Sequence, residues 1–451
     1  MYGQIIAWIC ARFQLGDARR VKALAEMVWG LINAKAVTFA DIGRNMAGPG
    51  KPASKITRVF NWCRNELVDP EAVQAVLARI VFELGGTRIG GERVVTLAMD
   101  WHSYNNGAQS SLRICLVTGS RAIPLLWHEV ATSDLGGART DIELGLVRRL
   151  VALRPAGLKL LVLLDAGFRD HRLFELLQEA GYFAVRCNSR SVVHTEECCW
   201  GAVGDLPVGV NQIVEFGWGY WHTKHLSKAR FAGGRITDKK PVRRGSRGRP
   251  AAHYKRVRPG LCIVATNLPT DAVTSVDLIR GYTRRFEIEH SFRDSKNATL
   301  GLDMDHTDLS DAARYARLMC IVALAELVCW LVGAEVEARS MHLDLTPSRP
   351  RDGRRTLSLV RVGRWGAGRI NVDLHKLLHQ HLKPAMVAAF RVIGRSWRDP
   401  ARRRIASYGT PTADSIAPMP PACRKKANER CAPCTSRKQW RLEDVHCERA
   451  A

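Results

Sequence analysis

Between residues 94 and 187 the chain alternates short apolar runs with polar breaks, at spacings that suit strands and helices in turn. Val94 to Asp100 (V-V-T-L-A-M-D) is β-branched and apolar and ends in an acid. Ser111 to Thr118 and Ala122 to Val130 read as two further strands around a Gly119-Ser120-Arg121 turn. Asp141 to Leu153 has helical periodicity, with Thr140 as its expected N-cap. Leu158 to Asp165 (L-K-L-L-V-L-L-D) is a strand apolar but for Lys159, again ending in an acid, and Ala166-Gly167 breaks it. His171 to Ala180 predicts a helix and Tyr182 to Cys187 a strand. The order β-β-β-α-β-α-β, a meander followed by crossovers, predicts an α/β fold: a mixed sheet with helices on its faces.

The flanks have different textures. Residues 1–88 predict a separate helical domain. Val37 to Asp41 opens a short helix with Thr38 as cap and Asp41 completing a box-like start, and Gly48 to Pro52 breaks it. Ala53 to Asn65 resumes as a helix with Ile56, Val59, Phe60 and Cys63 at core spacing. Ser54, Lys55, Thr57, Arg58 and Arg64 take its other faces. A helix–turn–helix would present Lys55, Arg58 and Arg64 to DNA; a helical bundle with a solvated face is the alternative. Leu318 to Ala334 is apolar except for Glu326. It falls short of the ~20 residues that span a bilayer and carries a charge mid-run, so a buried helix is the expectation.

Residues 188–262 read as a β-rich insertion within the α/β domain, whose parts are residues 89–187 and 263–345. Asn211 to Phe216 and Gly219 to Leu226 look like short strands joined by Gly217-Trp218. From Arg235 to Arg258 there are ten Lys or Arg, Arg243 and Arg244 among them, against one acid, Asp238. Such a run is either a solvated basic loop or a DNA-backbone contact that orders on binding. Residues 346–408 form a basic, partly helical region in which Leu374, Leu377, Leu378 and Leu382 offer a packing or dimer face. Residues 409–451 predict a disordered tail rich in Pro, Ser, Thr and charge. It holds Cys423, Cys431, Cys434, His446 and Cys447; C-A-P-C (Cys431 to Cys434) resembles half a zinc site, but the rest supplies no second CxxC or spaced His pair.

Charge changes the picture. The 451 residues carry 68 Lys plus Arg against 43 Asp plus Glu, a net charge of +25. An excess this large argues for a polyanionic partner, most commonly nucleic acid. A membrane-surface role would need a basic amphipathic helix, and no segment serves as one. Thirteen cysteines and no secretory signal at the start predict reduced thiols and a cytoplasmic location.

Two acids at the ends of apolar strands call for a partner, a metal or solvent, since an unpaired buried carboxylate is costly. A third acid lies in Tyr282 to Lys296 (Y-T-R-R-F-E-I-E-H-S-F-R-D-S-K). On a straight helix Tyr282, Arg285, Glu289 and Lys296 share an arc of about 60°. That face is either a solvated stripe with an Arg285–Glu289 pair or an acid in a phosphate-binding setting. Glu287 would point away from it. Three carboxylates suit Mg²⁺ or Mn²⁺ rather than zinc. Two such ions about 3.5–4 Å apart serve phosphodiester chemistry.

The spacing Tyr282-x2-Arg285-x3-Glu289-x6-Lys296 resembles the signature of the DDE transposases of bacterial insertion sequence family four. The acids in V-T-L-A-M-D-W and L-V-L-L-D-A-G-F match that family's other motifs, as do I-V-A-T-N-L-P (Ile263 to Pro269) and L-G-L (Leu300 to Leu302). The resemblance covers roughly residues 38–361. It implies an RNase H-like mixed sheet flanked by helices, with an inserted β-rich subdomain and an N-terminal helical DNA-binding domain. It implies Asp100, Asp165 and Glu289 as catalytic and metal-binding triad for two Mg²⁺ or Mn²⁺ ions. Tyr282, Arg285 and Lys296 would steady the phosphates of the transposon-end strand. The implied activity is binding of terminal inverted repeats, cleavage there through a hairpin end, and transfer of the 3′-OH into target DNA. The implied partners are double-stranded DNA, as transposon ends and target, and a second copy of the chain as a homodimer on DNA. A nuclease without strand transfer and an inactive DNA-binding regulator are the rival readings. Where that family often has a stacking Trp this chain has Leu261, so the role is lost or has moved to Trp218 or Trp221.

Overall fold

The computed structural model describes residues 1–194, 199–206, 208, 212–221, 227–236, 260–297, 302–307, 309–345, 355–390 and 416–418. The Arg243–Arg244 run and the cysteines of the tail lie outside them. Five helices come first: α1 (Tyr2–Arg12), α2 (Ala18–Asn33), α3 (Phe39–Asn45), α4 (Pro52–Arg64) and α5 (Pro70–Leu84). Thr38 caps α3 by accepting from the Asp41 N–H at 3.1 Å, as the sequence predicts. Gly43 is where α3 meets α4: a Cβ there would stand 2.7 Å from Ile56 Cα, so only glycine permits the approach.

The inner face of α4 differs from the sequence expectation. Val59, Trp62 and Cys63 are buried, whereas Phe60 is 37 % exposed. The Trp62 indole has a buried partner, donating to the Arg20 carbonyl at 3.1 Å. Phe60 instead lies edge-on to Phe39 at the surface, with the Arg314 guanidinium over its ring.

The sheet strands follow as β1 (Thr87–Ile89), β2 (Glu92–Tyr104), β3 (Gln109–Leu116) and β4 (Ile123–Ala131). Next come α6 (Arg139–Leu153), β5 (Leu158–Leu164), α7 (His171–Ala180) and β6 (Gly181–Arg186). Helix α6 starts with Ala138 at its N-cap and no side-chain cap, not at Thr140. Strands β7 (Val192–His194), β8 (Cys199–Ala202), β9 (Ile213–Trp221) and β10 (Ser227–Ile236) belong to a second compact unit, residues 187–263 and 407–451. There β9 pairs antiparallel with β10, and Gly217-Trp218 is no turn. The register slips between Phe231 and Ala232, and Gly217, at φ 83°, sits opposite Phe231. A glycine at positive φ is what such a bulge needs, so the turn-like pair lies inside one long strand.

The first unit is completed by β11 (Gly260–Thr266), whose Val264 to Thr266 pair antiparallel with β6. Its sheet order is β4-β3-β2-β5-β6-β11, parallel only at β2–β5 and β5–β6. The mixed sheet flanked by helices that the sequence predicts is present. The unit continues through α8 (Ser275–Tyr282), α9 (Phe286–Lys296), α10 (Ala312–Ala338), α11 (Leu359–Ala367), α12 (Leu374–Leu377) and α13 (Lys383–Ala389). It holds residues 1–186 as well, with α2, α4 and α5 packed on α10. Helix α10 is long and apolar enough to cross a membrane, but 89 % of its most apolar stretch is buried inside the protein. Leu374, Leu377, Leu378 and Leu382 are all buried, so they form a packing face within the chain.

One buried charge cluster in this core yields a pH prediction. Arg113 in β3 is 1 % exposed and donates from Nε to Ser111 Oγ, which in turn donates to Glu129 at 2.7 Å. Glu326 in α10 is also buried, accepts from Ser295 Oγ and faces the charge of the same guanidinium. Two carboxyls thus share one buried cation. Desolvation pushes both Glu129 and Glu326 from 4.5 up to about 7. Between those values the native state holds more protons than the unfolded chain, so stability falls as pH rises. The expected result is a higher Tm at pH 5 than at pH 8, read by circular dichroism, with the difference reduced in Glu129→Gln.

Candidate active site

The register of the parallel strands places the two strand-end acids. Met99 in β2 stands opposite Leu164 in β5, so Asp100 and Asp165 follow as neighbours at the carboxyl ends. Crevices at such strand ends are where open α/β sheets bind ligands. Asp165 leaves the strand into a tight turn in which its Oδ1 accepts from Gly167 N at 2.7 Å. A Cβ on Gly167 would press to 2.9 Å from that oxygen and 3.7 Å from Arg139 Nη2. The glycine therefore keeps the space beside Asp165 open.

The third acid comes from α9. The segment from Tyr282 to Lys296 is not one straight helix: α8 ends at Tyr282, a 3-10 turn takes Thr283–Arg285, and α9 begins at Phe286. One stripe of α9 is bolted to the turn between β3 and β4. Glu287 is buried and accepts from the Thr118 and Gly119 N–H groups, each at 3.0 Å. Ser291 Oγ donates to the Ala122 carbonyl at 2.8 Å, and Asp294 pairs with Arg121 at 2.8 Å. Spaced at i, i+4 and i+7, these three fix the rotation of the helix. Glu289 is consequently turned to the other side, with its side chain 41 % exposed.

Arg285 joins the acids. Its Nη1 lies 3.1 Å from Asp100 Oδ2 and its Nη2 2.5 Å from Glu289 Oε1. Burial pushes the Asp100 carboxyl up to about 6; the Arg285 charge opposes that, while Asp165 and Glu289 add to it. Asp100 thus feels the charge of both other acids. Among the described residues, no three His, Cys, Asp or Glu stand close enough together to hold a metal ion. The donor set is nevertheless all carboxylate oxygen, which suits a hard dication. A guanidinium bridges two of the acids as a stand-in cation, and Gly167 leaves room at the third. The residues thus fit such a group in donor chemistry and charge, with the Arg285 guanidinium standing where positive charge is needed between Asp100 and Glu289.

The other predicted residues are placed as follows. Tyr282 is 2 % exposed and its hydroxyl donates to the Leu164 carbonyl at 3.0 Å, one residue before Asp165. The phenol thus packs behind the acid, not toward solvent. Lys296 lies at the far end of α9, 3.5 Å from Asp305 and over the Tyr104 ring. In α4, Lys55 donates to the Met46 and Gly48 carbonyls at 2.9 and 2.7 Å, Arg58 pairs with Glu26, and Arg64 is exposed. Of the second unit's tryptophans, Trp218 is 42 % exposed and Trp221 buried; Leu261 is half-buried.

Sequence reasoning missed three neighbours of the acids. Trp101 Nε1 donates to Glu143 Oε1 at 2.7 Å, and Arg139 Nε lies 3.1 Å from the same oxygen. The Arg139 guanidinium carbon stands 5.4 Å from the Trp101 ring. An aromatic directly after a strand-end acid and an Arg-x3-Glu spacing were the available signals.

No curated protein matches this chain. The family model described as the transposase DDE domain matches residues 100–325, half of the 451-residue chain, starting at Asp100 and spanning Asp165, Glu289 and Lys296. Acids on adjacent strand ends, a third delivered by a helix bolted to the same sheet, and this match lead to one conclusion: the chain belongs to the transposase DDE domain family and is a DDE transposase.

Proposed function

We propose that this transposase binds the terminal inverted repeats of an insertion sequence of family four, cleaves phosphodiesters there and joins the freed 3′-OH to target DNA. Enzymes of this family are generally divalent-metal dependent. Asp100, Asp165 and Glu289 would hold the metal, Mg²⁺ or Mn²⁺ as two ions. That group supplies positive charge at the attacking and leaving oxygens of the phosphodiester. The observation carrying the reading is Arg285, which already bridges Asp100 and Glu289 as a cation would.

The protein's own residues do the rest. Arg285, released from the acids, has a planar fork that can bind a phosphate through two nitrogens. Lys296 adds a point charge along the same strand. Tyr282 holds the end of β5, and through it the position of Asp165. Helix α4 offers Lys55, Arg58 and Arg64 to the duplex, of which Arg64 is exposed while Lys55 and Arg58 would first leave the Met46 and Gly48 carbonyls and Glu26, and two copies of the chain would bring two ends together. The test is a cell-free reaction with the full chain, a labelled duplex bearing the element's own end, Mg²⁺ and a supercoiled target plasmid. Products joined to the plasmid are expected. Cleaved but never joined ends would establish the nuclease reading, and binding without cleavage the regulator.

A further inference from the structure

Strand β2 outruns its parallel neighbour. Its pairing with β5 stops at Met99, while Trp101, His102, Ser103 and Tyr104 remain paired only with β3. Along this end of β2 lies a cavity of about 400 Å³, lined among others by Trp101, His102, Ser103, Ser110, Arg139 and Lys296. It lies wholly within the first compact unit. That volume exceeds what a phosphate alone needs and falls in the size range of small-molecule pockets.

Its lining is organised. Glu143 is buried and takes one nitrogen from Trp101 and one from Arg139, holding the guanidinium over the indole, 5.4 Å from the ring centroid. Arg139 Nη2 stays close to Gly167, beside Asp165. Lys296 supplies a second cation from α9. The His102 ring stacks on Phe292 with centroids 4.3 Å apart and planes 2° from parallel, and its Nε2 is buried without a hydrogen-bond partner.

An indole with a guanidinium over it, a second cation, hydroxyls and an imidazole nitrogen without a partner together match one ligand chemistry: a nucleotide. We propose that this cavity is a nucleotide subsite, holding the residue next to the scissile phosphate of a DNA end, with its base against the Trp101–Arg139 stack and its phosphates between Arg139 and Lys296. Trp101 and Arg139 are then specificity-determining residues, and Glu143 is a positioning residue acting through both. The assignment rests on reading Asp100, Asp165 and Glu289 as the cleavage site.

The test measures binding in EDTA, so it does not depend on cleavage. Full-length protein is titrated by fluorescence anisotropy against duplexes of the element's terminal repeat, intact or with one abasic nucleotide at successive positions around the cleavage point. Trp101→Ala should weaken binding to the intact duplex by roughly 10-fold. One abasic position should weaken the wild type similarly, and at that position alone the two losses should merge into one. If Trp101→Ala does not fold, Trp101→Phe with Arg139→Gln carries the same comparison, with the loss expected from the second. Losses that multiply at every position, or an unchanged affinity in Trp101→Ala and Arg139→Gln, would overturn the subsite. Free nucleotide competing as well as the duplex end would overturn its assignment to DNA. Merged losses with a cleavage-competent Asp100→Asn would instead keep the subsite and remove the reading of the acids.

Discussion

Asp100→Asn and Asp165→Asn are each expected to lower cleavage of a DNA end by roughly a thousandfold or more, while end binding stays largely intact. A lost metal ligand removes several kcal/mol of transition-state stabilisation, and each 1.4 kcal/mol is about tenfold in rate. The amide is nearly the same shape as the carboxylate but a poor ligand for a hard dication. Folding should survive. Asp100 Oδ1 accepts from the Trp101 N–H and Oδ2 from Arg285 Nη1; in Asp100→Asn the single amide oxygen keeps one of the two bonds, a loss small enough for the fold to tolerate. Removing a carboxyl that burial already pushes up to about 6 also relieves its repulsion with Asp165 and Glu289. Gel cleavage and mobility-shift assays on the same duplex check both halves. Loss of binding together with cleavage in Asp100→Asn would make that residue a DNA contact or a structural anchor instead.

The second large effect separates two acids two residues apart. Glu289→Gln should remove metal-dependent cleavage and leave the melting temperature nearly unchanged, since its side chain is 41 % exposed and its partner Arg285 keeps the Asp100 carboxylate. Glu287 should behave in the opposite way. Its Oε2 holds the Thr118 and Gly119 N–H groups in a buried position. Glu287→Ala would leave those donors unpaired at a cost of about 2–4 kcal/mol, seen as a lower Tm. An amide oxygen can keep both bonds, so Glu287→Gln should retain most stability and most activity. Cleavage surviving in Glu289→Gln but lost in a folded Glu287→Gln would reverse the assignment of α9.

Much of the framework was legible because its signals are local. Strand β5 and helix α7 were readable from an apolar run and a helical span, and the structure adds that Asp170 caps α7 and Gly181 ends it. The acids at residues 100 and 165 stood out because each ends such a run. Their adjacency was not legible, since it depends on Met99 lying opposite Leu164, a register set by the whole sheet. The same limit hid the Trp101–Glu143–Arg139 contacts, which link a strand to a helix some forty residues away. Helical spacing suggested Phe60 over Trp62 for the core of α4. The decision belonged to a hydrogen-bond partner for the indole, Arg20 on α2, which periodicity cannot supply. At Gly217 a turn composition was read as a turn, but cross-strand pairing made it a bulge. Tyr282 shows the remaining gap: spacing put it near the acids, yet only packing reveals that its hydroxyl faces the Leu164 carbonyl.

The central claim is that Asp100, Asp165 and Glu289 together form a metal-dependent site that cuts DNA at the element's ends. One gel tests it most directly: full-length wild type, Asp100→Asn, Asp165→Asn and Glu289→Gln with an end-labelled duplex of the terminal repeat, each in Mg²⁺ and in EDTA. The account predicts a cut at the repeat's boundary by wild type in Mg²⁺ and in no other lane. A cut that persists in EDTA, or in any of the three variants at the wild-type rate, would contradict it.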